Sequence, residues 1–448
     1  MCASHGIDKL KIMSGFISIN SSDRHQDKQM GSECINFSSA LLSALGCGDS
    51  LYMPANIAPL KNLKGLIQQP LVQRSVSILR HLIGDDPLTE YLPDIVSRAF
   101  NFPVRVNQLD NQISVLELFH GPSLSFKDFG ARFLAGCLKH LQLQQPITVL
   151  TATSGDTGGA VAKAFYGLDN VEVVVVYPHA GVTQQQTMYF VGLGGNISSV
   201  AIDGSFDDCQ RLAKQAFADS SLTRRKLISA NSINVARLLA QVCYYFELLV
   251  QLPDADSLTV AIPSGNFGNA TAAMMSCALG LPIKTVLAVT NENDTVPRYL
   301  FDGQWLPKAV VQTITNAIDI AAPNNFSRIE YLQGQQHRLE SVFQSLSVSE
   351  QATQAAMRQL SANGYQADPH TALAWQGLQQ SLDKPNKGVS KSMLGAIVAT
   401  AHPAKFSDEV ESITGLSVAL DNNQTSRRNH QPAIKPEYEL LKERLDAL

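Results

Sequence analysis

The stretch ITVLTATSGDTGGAVAKAF, residues Ile147–Phe165, joins a short apolar run to a helical pattern through a polar turn. The same order recurs in LTVAIPSGNFGNATAAMMS, Leu258–Ser276, and in ISSVAIDGSFDDCQRLAKQAF, Ile197–Phe217. The run VEVVVVYP, Val171–Pro178, is almost wholly apolar, as strands buried on both faces are. Strands that alternate with helices predict an α/β fold, in which helices cover both faces of a parallel sheet. In such sheets ligands bind at the carboxyl ends of the strands, where these polar turns lie.

Three parts of the chain differ in pattern. Residues 96–420 carry the strand–helix alternation and are predicted to form the α/β domain. Residues 1–95 hold short helical patterns, so we expect a separate, mainly helical N-terminal domain. Residues 421–448 are polar and are predicted to form a tail with one short helix.

The composition argues against several classes of protein. Apolar residues make up 45% of the 448 residues and charged residues 17%, which allows a large core in two or three structural units. The formal net charge of −4 predicts no general surface for polyanions, so nucleic acids and acidic membranes are not expected partners. The seven cysteines contain no CxxC pair. This is typical of a reducing compartment and predicts neither a disulfide framework nor a zinc site.

No targeting or membrane segment is predicted. The N-terminal residues lack the apolar region of a signal peptide. The most apolar long run, at Ala270–Val289, is interrupted by Pro282 and Lys284. It therefore predicts a buried helix, a turn and a strand rather than a membrane span. We expect a cytoplasmic protein.

A single lysine stands among aromatic residues in LFHGPSLSFKDFGARF, Leu118–Phe133. The spacing of Ser125 and Asp128 fits a capping box, with Ser125 as the N-cap of a helix. Lys127 is then in the first helical turn, where the helix dipole and partial burial lower the pKa of an amine. A lysine in that state is suited to form a Schiff base. Taken alone, such a lysine is more often a surface residue whose stem covers apolar neighbours.

Two strand–loop–helix segments favour the Schiff-base interpretation of Lys127 over the surface one. In IPSGNFGNAT, Gly265 and Gly268 open a turn whose backbone N–H groups can hold a phosphate. The segment lacks GK[ST] and GxGxxG spacing, which favours a single phosphate over a nucleoside triphosphate or a dinucleotide. In TATSGDTGGAV, Thr151–Val161, the hydroxyl and amide groups before the helix suit a substrate carboxylate. Each segment also has a plain interpretation as a tight turn or a capped helix start.

Other polar residues indicate no further chemistry. His120, His370 and His402 lie near motifs, but no HxH or HExxH spacing occurs, so no metal site is expected. Asp128 and Arg132 stand four residues apart and are predicted to pair on a helix surface.

Six segments that occur in order together resemble threonine synthases, which are pyridoxal-5′-phosphate-dependent enzymes of fold type II. The segments are LFHGPSLSFKDFGARF, TATSGDTGGAVAKAFYG, SANSINVARLLAQ, PSGNFGNATA, NDTVPRYL and TAHPAKF. The resemblance runs from about Glu117 to Phe406. It implies two parallel-sheet, three-layer lobes with the active site between them, and an added N-terminal helical lobe.

The resemblance also implies a role for each matching position. Lys127 would bind pyridoxal 5′-phosphate covalently, and Thr400 would place its hydroxyl at the pyridine nitrogen. The cofactor's phosphate would lie in a cup formed by Gly265, Asn266, Phe267, Gly268 and Asn269. The amino-acid end of the substrate would meet Ser154, Gly155, Asp156 and Thr157. Candidates for the substrate's own phosphate are Ser232, Asn234, Arg237 and Lys405, although Arg237 has an alternative interpretation as a buried structural cation.

The implied activity is that of a carbon–oxygen lyase acting on phosphates, in the last step of threonine biosynthesis. The substrate would be a small molecule, O-phospho-L-homoserine, and the protein a monomer or homodimer. One departure from the family lies in YPHAGVT, Tyr177–Thr183, where Ala180 and Gly181 replace a usual glycine and basic residue. The alternatives are a threonine or serine dehydratase of the same fold type, and a cofactor-binding homologue with reduced activity.

Overall fold

The computed structural model describes residues 15–19, 34–43, 50–143, 145–180, 182–222, 226–252, 258–382, 394–418 and 432–447. The strands, in chain order, are β1 (Phe16–Ile19), β2 (Leu51–Pro54), β3 (Arg105–Gln108), β4 (Ile113–Glu117), β5 (Ile147–Ala152), β6 (Val171–Pro178), β7 (Ile197–Ile202), β8 (Lys226–Ser229), β9 (Leu258–Pro263), β10 (Ile283–Thr290), β11 (Phe343–Ser347) and β12 (Gly395–Ala399).

The helices, in chain order, are α1 (Phe37–Leu42), α2 (Leu63–Ile67), α3 (Leu71–Ile83), α4 (Leu92–Ala99), α5 (Lys127–His140), α6 (Asp156–Phe165), α7 (Gln184–Thr187), α8 (Phe206–Ala218), α9 (Val235–Gln251), α10 (Gly268–Ala278), α11 (Thr295–Asp302), α12 (Phe326–Gln335), α13 (Glu350–Ala362), α14 (Pro369–Leu382), α15 (Ser407–Thr414) and α16 (Tyr438–Asp446). Short 3₁₀ helices are Pro87–Thr89, Asn316–Ile318, His337–Leu339 and Pro403–Phe406. Within the described ranges, no helix combines the length and apolar character needed to cross a bilayer.

A six-stranded sheet has the order β11-β10-β9-β12-β4-β3, and all its neighbours are parallel except β3 with β4. Successive side chains of β12 lie on opposite faces of the sheet. Ala396 and Val398 belong to one apolar cluster, and Ile397 and Ala399 belong to another. Helices α13 and α14 supply the second cluster. Helices therefore cover both faces of this sheet, as the predicted α/β fold requires.

A four-stranded, fully parallel sheet has the order β7-β6-β5-β8. Along β6, Val173 and Val175 pack in the main core, and Val174 and Val176 pack against α8 and α16. This explains the unbroken apolar run of β6, because neither of its faces meets water. The predicted fold of two parallel-sheet, three-layer lobes is confirmed.

The apolar run Ala270–Val289 is a buried helix followed by a strand, as predicted. Its first part belongs to α10, in which every residue is buried, and its second part to β10. A turn at Gly280, with a φ of +107°, separates the two elements.

The N-terminal part is not purely helical. The sequence predicts helices there, and α1 to α4 form, but β1 and β2 also pair as a two-stranded antiparallel sheet. Strands of four residues are too short to show a clear alternation in the sequence. Phe16 and Phe37 belong to the same apolar core as Phe133 of α5, so this part packs directly on the α/β region.

A short helix, α16, lies near the end of the chain and buries Leu441 and Leu445 against α8. The predicted start of the tail, at residue 421, lies outside the described residues. The domain boundaries at residues 95 and 420 stay predictions.

A buried ion pair connects the N-terminal helices to α9. Arg74 of α3 bonds Glu247 of α9, and both side chains are almost fully buried. We expect Glu247→Gln to lower the free energy of unfolding by about 3 kcal/mol, because it leaves the Arg74 charge buried without its partner. Urea denaturation followed by circular dichroism measures the change.

The exposed pair of Arg98 with Asp94 provides the control. Asp94→Asn should change the denaturation midpoint far less, since exposed pairs contribute little. Equal effects of the two substitutions would contradict a structural role for the buried pair.

Candidate active site

One cavity lies at the carboxyl ends of strands from both parallel sheets. It reaches Ala152 at the end of β5, Ser229 at the end of β8, Pro263 at the end of β9 and Thr400 just after β12. Parallel strands place their carboxyl ends on one edge, so the loops after them converge there. The cavity therefore occupies the position at which the sequence predicts ligand binding.

Most of the predicted site residues line this cavity. All those assigned to the cofactor do so: Lys127, Gly265, Asn266, Phe267, Gly268, Asn269 and Thr400. Among the substrate candidates, Ser154, Asp156, Thr157, Ser232 and Arg237 also line it. Gly155, Asn234 and Lys405 are not part of the lining, and their contacts are described below.

Lys127 lies in the first turn of α5, as predicted, but the predicted capping box is wrong. The N-cap is Phe126, which makes no side-chain cap bond. The Asp128 carboxylate accepts instead from the backbone N–H of Ser123 at 2.8 Å. The backbone N–H of Phe126 donates to the Thr400 carbonyl oxygen at 2.8 Å. Contact with the end of β12 therefore holds this turn, and a local cap is not needed.

The predicted pair of Asp128 with Arg132 is also wrong. Asp128 is buried toward Gly121, where an added Cβ would lie 2.4 Å from its Oδ2. Arg132 turns to the carbonyl oxygens of Arg98 and Ala99. The helix therefore turns one charged residue inward and the other toward the N-terminal part.

The amine of Lys127 lies in a largely dry, charged environment. Its side chain is 16% exposed, and its Nζ is 3.5 Å from Asp156 Oδ2 and 4.8 Å from the centre of the Phe126 ring. Burial lowers the pKa of Lys127, and the positive charges of Lys405 and Arg237 lower it further, while Asp156 opposes the shift. The result is an amine that loses its proton more easily than an exposed lysine does.

Asp156 joins this amine to a second lysine. Lys405 Nζ lies 2.8 Å from Asp156 Oδ1 and donates to the Ser123 carbonyl oxygen at 2.8 Å. Burial alone would raise the pKa of Asp156, but Lys405 and Lys127 lower it below its usual value. Asp156 is therefore ionised. Lys405 is completely buried, and these contacts leave its predicted role at the substrate's phosphate without support.

The loop before α10 has the features of a phosphate cup. Among the described residues, the backbone N–H groups from Gly265 to Asn269 donate no hydrogen bond. Phe267 has a left-handed φ of +59°, and its ring packs edge-on at 5.9 Å from Phe326, so its side chain is part of the core. An added Cβ at Gly265 would lie 2.5 Å from the Ile318 Cα, so only glycine fits there. Free amides at a helix N-terminus fit the phosphate of pyridoxal phosphate.

The loop before α6 bends sharply at Gly155, whose φ is +133°. An added Cβ there would lie 2.5 Å from Gln186 Cδ, so Gly155 permits close packing and does not line the cavity. Thr153 Oγ1 accepts from the N–H groups of Gly155 and Gly158, both at 2.9 Å. These contacts hold Ser154 and Thr157 at the cavity wall.

The candidates for the substrate's phosphate separate into two groups. Ser232 Oγ accepts from the amides of Asn266 and Asn325, at 2.8 and 3.2 Å, which leaves its own proton available as a donor. Arg237 donates to the Ala230 carbonyl oxygen, its Nε has no partner among the described residues, and burial lowers its pKa to about 10. Asn234 is different, because it caps α9 and its amide donates to two carbonyl oxygens.

His370 is a cavity residue to which the sequence assigned no role. Its Nδ1 lies 2.8 Å from Asp368 Oδ2, and its Nε2 has no partner among the described residues. Asp368 also accepts from the N–H groups of His370 and Thr371, so it caps α14 ahead of Pro369. An aspartate directly before a proline is a helix-start signal that could have placed this histidine in the first turn of a helix. Across the described part of the chain, no cluster of three or more His, Cys, Asp or Glu residues is suited to a metal ion.

The fold and the cavity together define a class of enzyme. Residues 103–393 match the model of the family described as pyridoxal-phosphate dependent enzymes. The match covers the segments that carry Lys127, the two glycine-containing loops and the helices between them. The cofactor of this chain is pyridoxal 5′-phosphate, and the residues of the cup fit it.

Individual relatives narrow the class. The threonine synthase of Escherichia coli (strain K12) is 45% identical over 400 residues, which cover 88% of this chain and 92% of that protein. The crystal structure of threonine synthase from Escherichia coli matches with a TM-score of 0.86 at 42% identity, covering 93% of this chain and 97% of that one. Threonine synthase from Brucella melitensis with bound PLP matches with a TM-score of 0.84 at 28% identity, covering 97% and 99%. The chain belongs to the threonine synthase family.

The charges around Asp156 predict opposite shifts of the Lys127 pKa in two variants. Asp156→Asn should lower the pKa of Lys127, because it removes the anion that favours the ammonium form. Lys405→Met should raise that pKa, because it removes a nearby cation. Only the neutral amine attacks an aldehyde, so the rate of pyridoxal binding to the apoprotein increases with pH. Compared with the wild type, this increase should occur at lower pH in Asp156→Asn and at higher pH in Lys405→Met.

Stopped-flow absorbance between about pH 6 and pH 10 measures this rate. The Lys127→Ala apoprotein gives the background from other amines. Shifts of both profiles in one direction would show that Asp156 and Lys405 do not act on Lys127 through their charges.

Proposed function

We propose that the chain converts O-phospho-L-homoserine and water into L-threonine and phosphate, with pyridoxal 5′-phosphate held at Lys127. The observation that carries the proposal is the position of Lys127 in one cavity with two adjoining sets of groups that can bind an anion. One set is the cup Gly265–Asn269, and the other comprises Ser232 and Arg237. A substrate with a phosphate, bound beside a cofactor with a phosphate, needs two such sets.

Lys127 performs the proton transfers. When bound, the cofactor withdraws electrons from the substrate and so makes loss of the α- and β-protons feasible. Lys127 Nζ, whose pKa is lowered by burial, would accept the proton from the α-carbon. The β-proton and the phosphate then leave, a proton adds to the γ-carbon to form the methyl group, the hydroxyl group of water adds to the β-carbon, and a proton returns to the α-carbon. The same amine, held near Asp156, is placed to carry protons among these positions.

The remaining lining residues orient the two molecules. Ser154 and Thr157 take the substrate's carboxylate, whereas the ionised Asp156 repels it and serves the two lysines. Thr400 places a neutral hydroxyl at the pyridine nitrogen, which moderates electron withdrawal compared with a carboxylate. Gly155, Asn234 and Lys405 act indirectly, through packing, helix capping and the charge of Asp156.

The two alternatives from the sequence have less support. A dehydratase of threonine or serine does not need Ser232 and Arg237 as ligands of a second phosphate. Reduced activity was suggested by the loop YPHAGVT, of which Gly181 lies outside the described residues. In the described part, Thr183 caps α7, and Gln186 of that helix donates to Asp156 at 3.4 Å. The altered loop therefore stays connected to the active site. We place the reaction in the cytoplasm, as the last step of threonine biosynthesis.

Product analysis with the purified holoenzyme tests the reaction. O-phospho-L-homoserine should yield threonine and phosphate in equal amounts, and L-threonine should yield no keto acid. Lys127→Ala should lower turnover by more than about a thousandfold, since it removes the amine proposed both to bind the cofactor and to transfer the protons. Borohydride should attach the cofactor permanently to Lys127, as peptide mass spectrometry detects. Keto acid formation from threonine at a comparable rate would instead identify a dehydratase.

A second prediction concerns the substrate's phosphate. Ser232→Ala should raise KM for O-phospho-L-homoserine about tenfold and change kcat much less, because the hydroxyl binds a group that is remote from the α-carbon. Steady-state kinetics separate the two constants. Ser276→Ala, which removes a buried hydroxyl bonded within α10, is the control and should leave KM unchanged. An unchanged KM in the Ser232 variant would exclude this residue from the phosphate site.

A further inference from the structure

Two adjacent tyrosines of α9 converge on one atom of the cup. Tyr244 and Tyr245 each donate a hydroxyl hydrogen bond to Asn269 Oδ1, and both distances are 2.6 Å. Both tyrosine side chains are completely buried, and Asn269 is 7% exposed. Three polar side chains therefore meet in the core at the start of α10.

The geometry determines which way the Asn269 amide faces. A tyrosine hydroxyl has one proton, and for each of these hydroxyls the Asn269 oxygen is the near acceptor. The other acceptors are farther away, at 3.4 Å for Tyr244 and 3.3 Å for Tyr245. Burial raises the pKa of both tyrosines well above the usual value, so both keep their protons. The reversed amide would leave both protons with only the long contacts.

The amide nitrogen of Asn269 is left without a partner. Among the described residues nothing accepts a hydrogen bond from Nδ2, although this atom is buried. A buried amide donor without an acceptor is costly, and a partner from outside the chain would remove that cost. Asn269 lines the cavity in the first turn of α10, next to the free N–H groups of Gly265–Gly268. The partner expected at that position is an anion.

We propose that Tyr244 and Tyr245 are positioning residues, which hold the Asn269 amide with its Nδ2 donor turned toward the cofactor's phosphate. This inference rests on the proposed binding of that phosphate at Gly265–Asn269. It adds residues outside the loop that fix the orientation of the Asn269 side chain. Without the two hydroxyls, the amide can rotate and present its oxygen, which repels a phosphate. The tyrosines thus act on phosphate affinity without touching the phosphate.

The test compares two ligands that differ only in the phosphate. Pyridoxal and pyridoxal 5′-phosphate are titrated into the apoprotein, and visible absorbance gives a Kd for each. The Kd for pyridoxal divided by the Kd for pyridoxal 5′-phosphate measures the contribution of the phosphate separately from that of Lys127. Tyr244→Phe and Tyr245→Phe should each reduce the ratio about fivefold and the double variant about thirtyfold, with the Kd for pyridoxal nearly unchanged.

Tyr331→Phe is the matched control. Its hydroxyl is also buried and donates to the carbonyl oxygens of Pro54 and Ala55, away from the cup. This variant should keep the wild-type ratio. A double variant of Tyr244 and Tyr245 with the wild-type ratio, or one that binds both ligands equally weakly, overturns the proposal.

Asn269→Asp provides a test that does not alter the tyrosines. It keeps the oxygen that accepts from both hydroxyls and replaces the nitrogen with a second anionic oxygen. We expect pyridoxal to bind as in the wild type, and pyridoxal 5′-phosphate to bind at least about a hundredfold more weakly. Unchanged affinity for the phosphorylated ligand overturns the proposal. Wild-type protein that binds pyridoxal and its phosphate equally would refute the cup itself, which is a distinct result.

Discussion

The carboxylate of Asp156 is the group on which the charged side of the site depends. Two lysines approach it, Lys127 at 3.5 Å and Lys405 at 2.8 Å, in a region from which water is largely excluded. Buried ammonium groups without an anion would repel each other and lose their hydration. With Asp156 present, Lys405 keeps a close ionic contact while Lys127 stays farther away. This unequal sharing lets Lys127 keep a lowered pKa and face the cavity.

Elsewhere in the cavity, the backbone supplies a positive potential, whereas Asp156 supplies a negative charge. The free amides before α10 create a positive potential without any charged side chain. A phosphate can therefore bind there without a lysine that would compete with Lys127 for the aldehyde. Glycine is required at this loop because Gly265 lies against the backbone of Ile318. In the proposed site, different chemistry would hold the two ends of the cofactor: a covalent bond from Lys127 after β4, and backbone amides from the loop after β9 of the same sheet.

The helix α9 links these two sides. Its N-terminal turn places Arg237 in the cavity, packed against Gly130 of α5, where an added Cβ would lie 2.6 Å from the guanidinium Nε. About two turns later, Tyr244 and Tyr245 reach Asn269. A single buried helix therefore contacts both the lysine-bearing helix and the phosphate cup. Its burial on all sides fits this central position, and its ion pair with Arg74 extends the contact to the N-terminal part.

The sequence by itself determined the α/β class, the positions of strands β5, β6, β7 and β9, and the three segments that carry Lys127 and the two glycine loops. These features depend on local periodicity and on glycines in tight turns, which neighbouring residues reveal. It failed at the contacts of Asp128, which was assigned to a capping box and to Arg132, and it did not reveal the ionic partner of Lys405. The tertiary structure decided that Asp128 turns to Ser123, that Lys405 pairs with Asp156, and that two tyrosines orient Asn269. The contacts of Lys405 with Asp156 and of the tyrosines with Asn269 follow from strand order and helix packing, since these bring together side chains that are far apart along the chain.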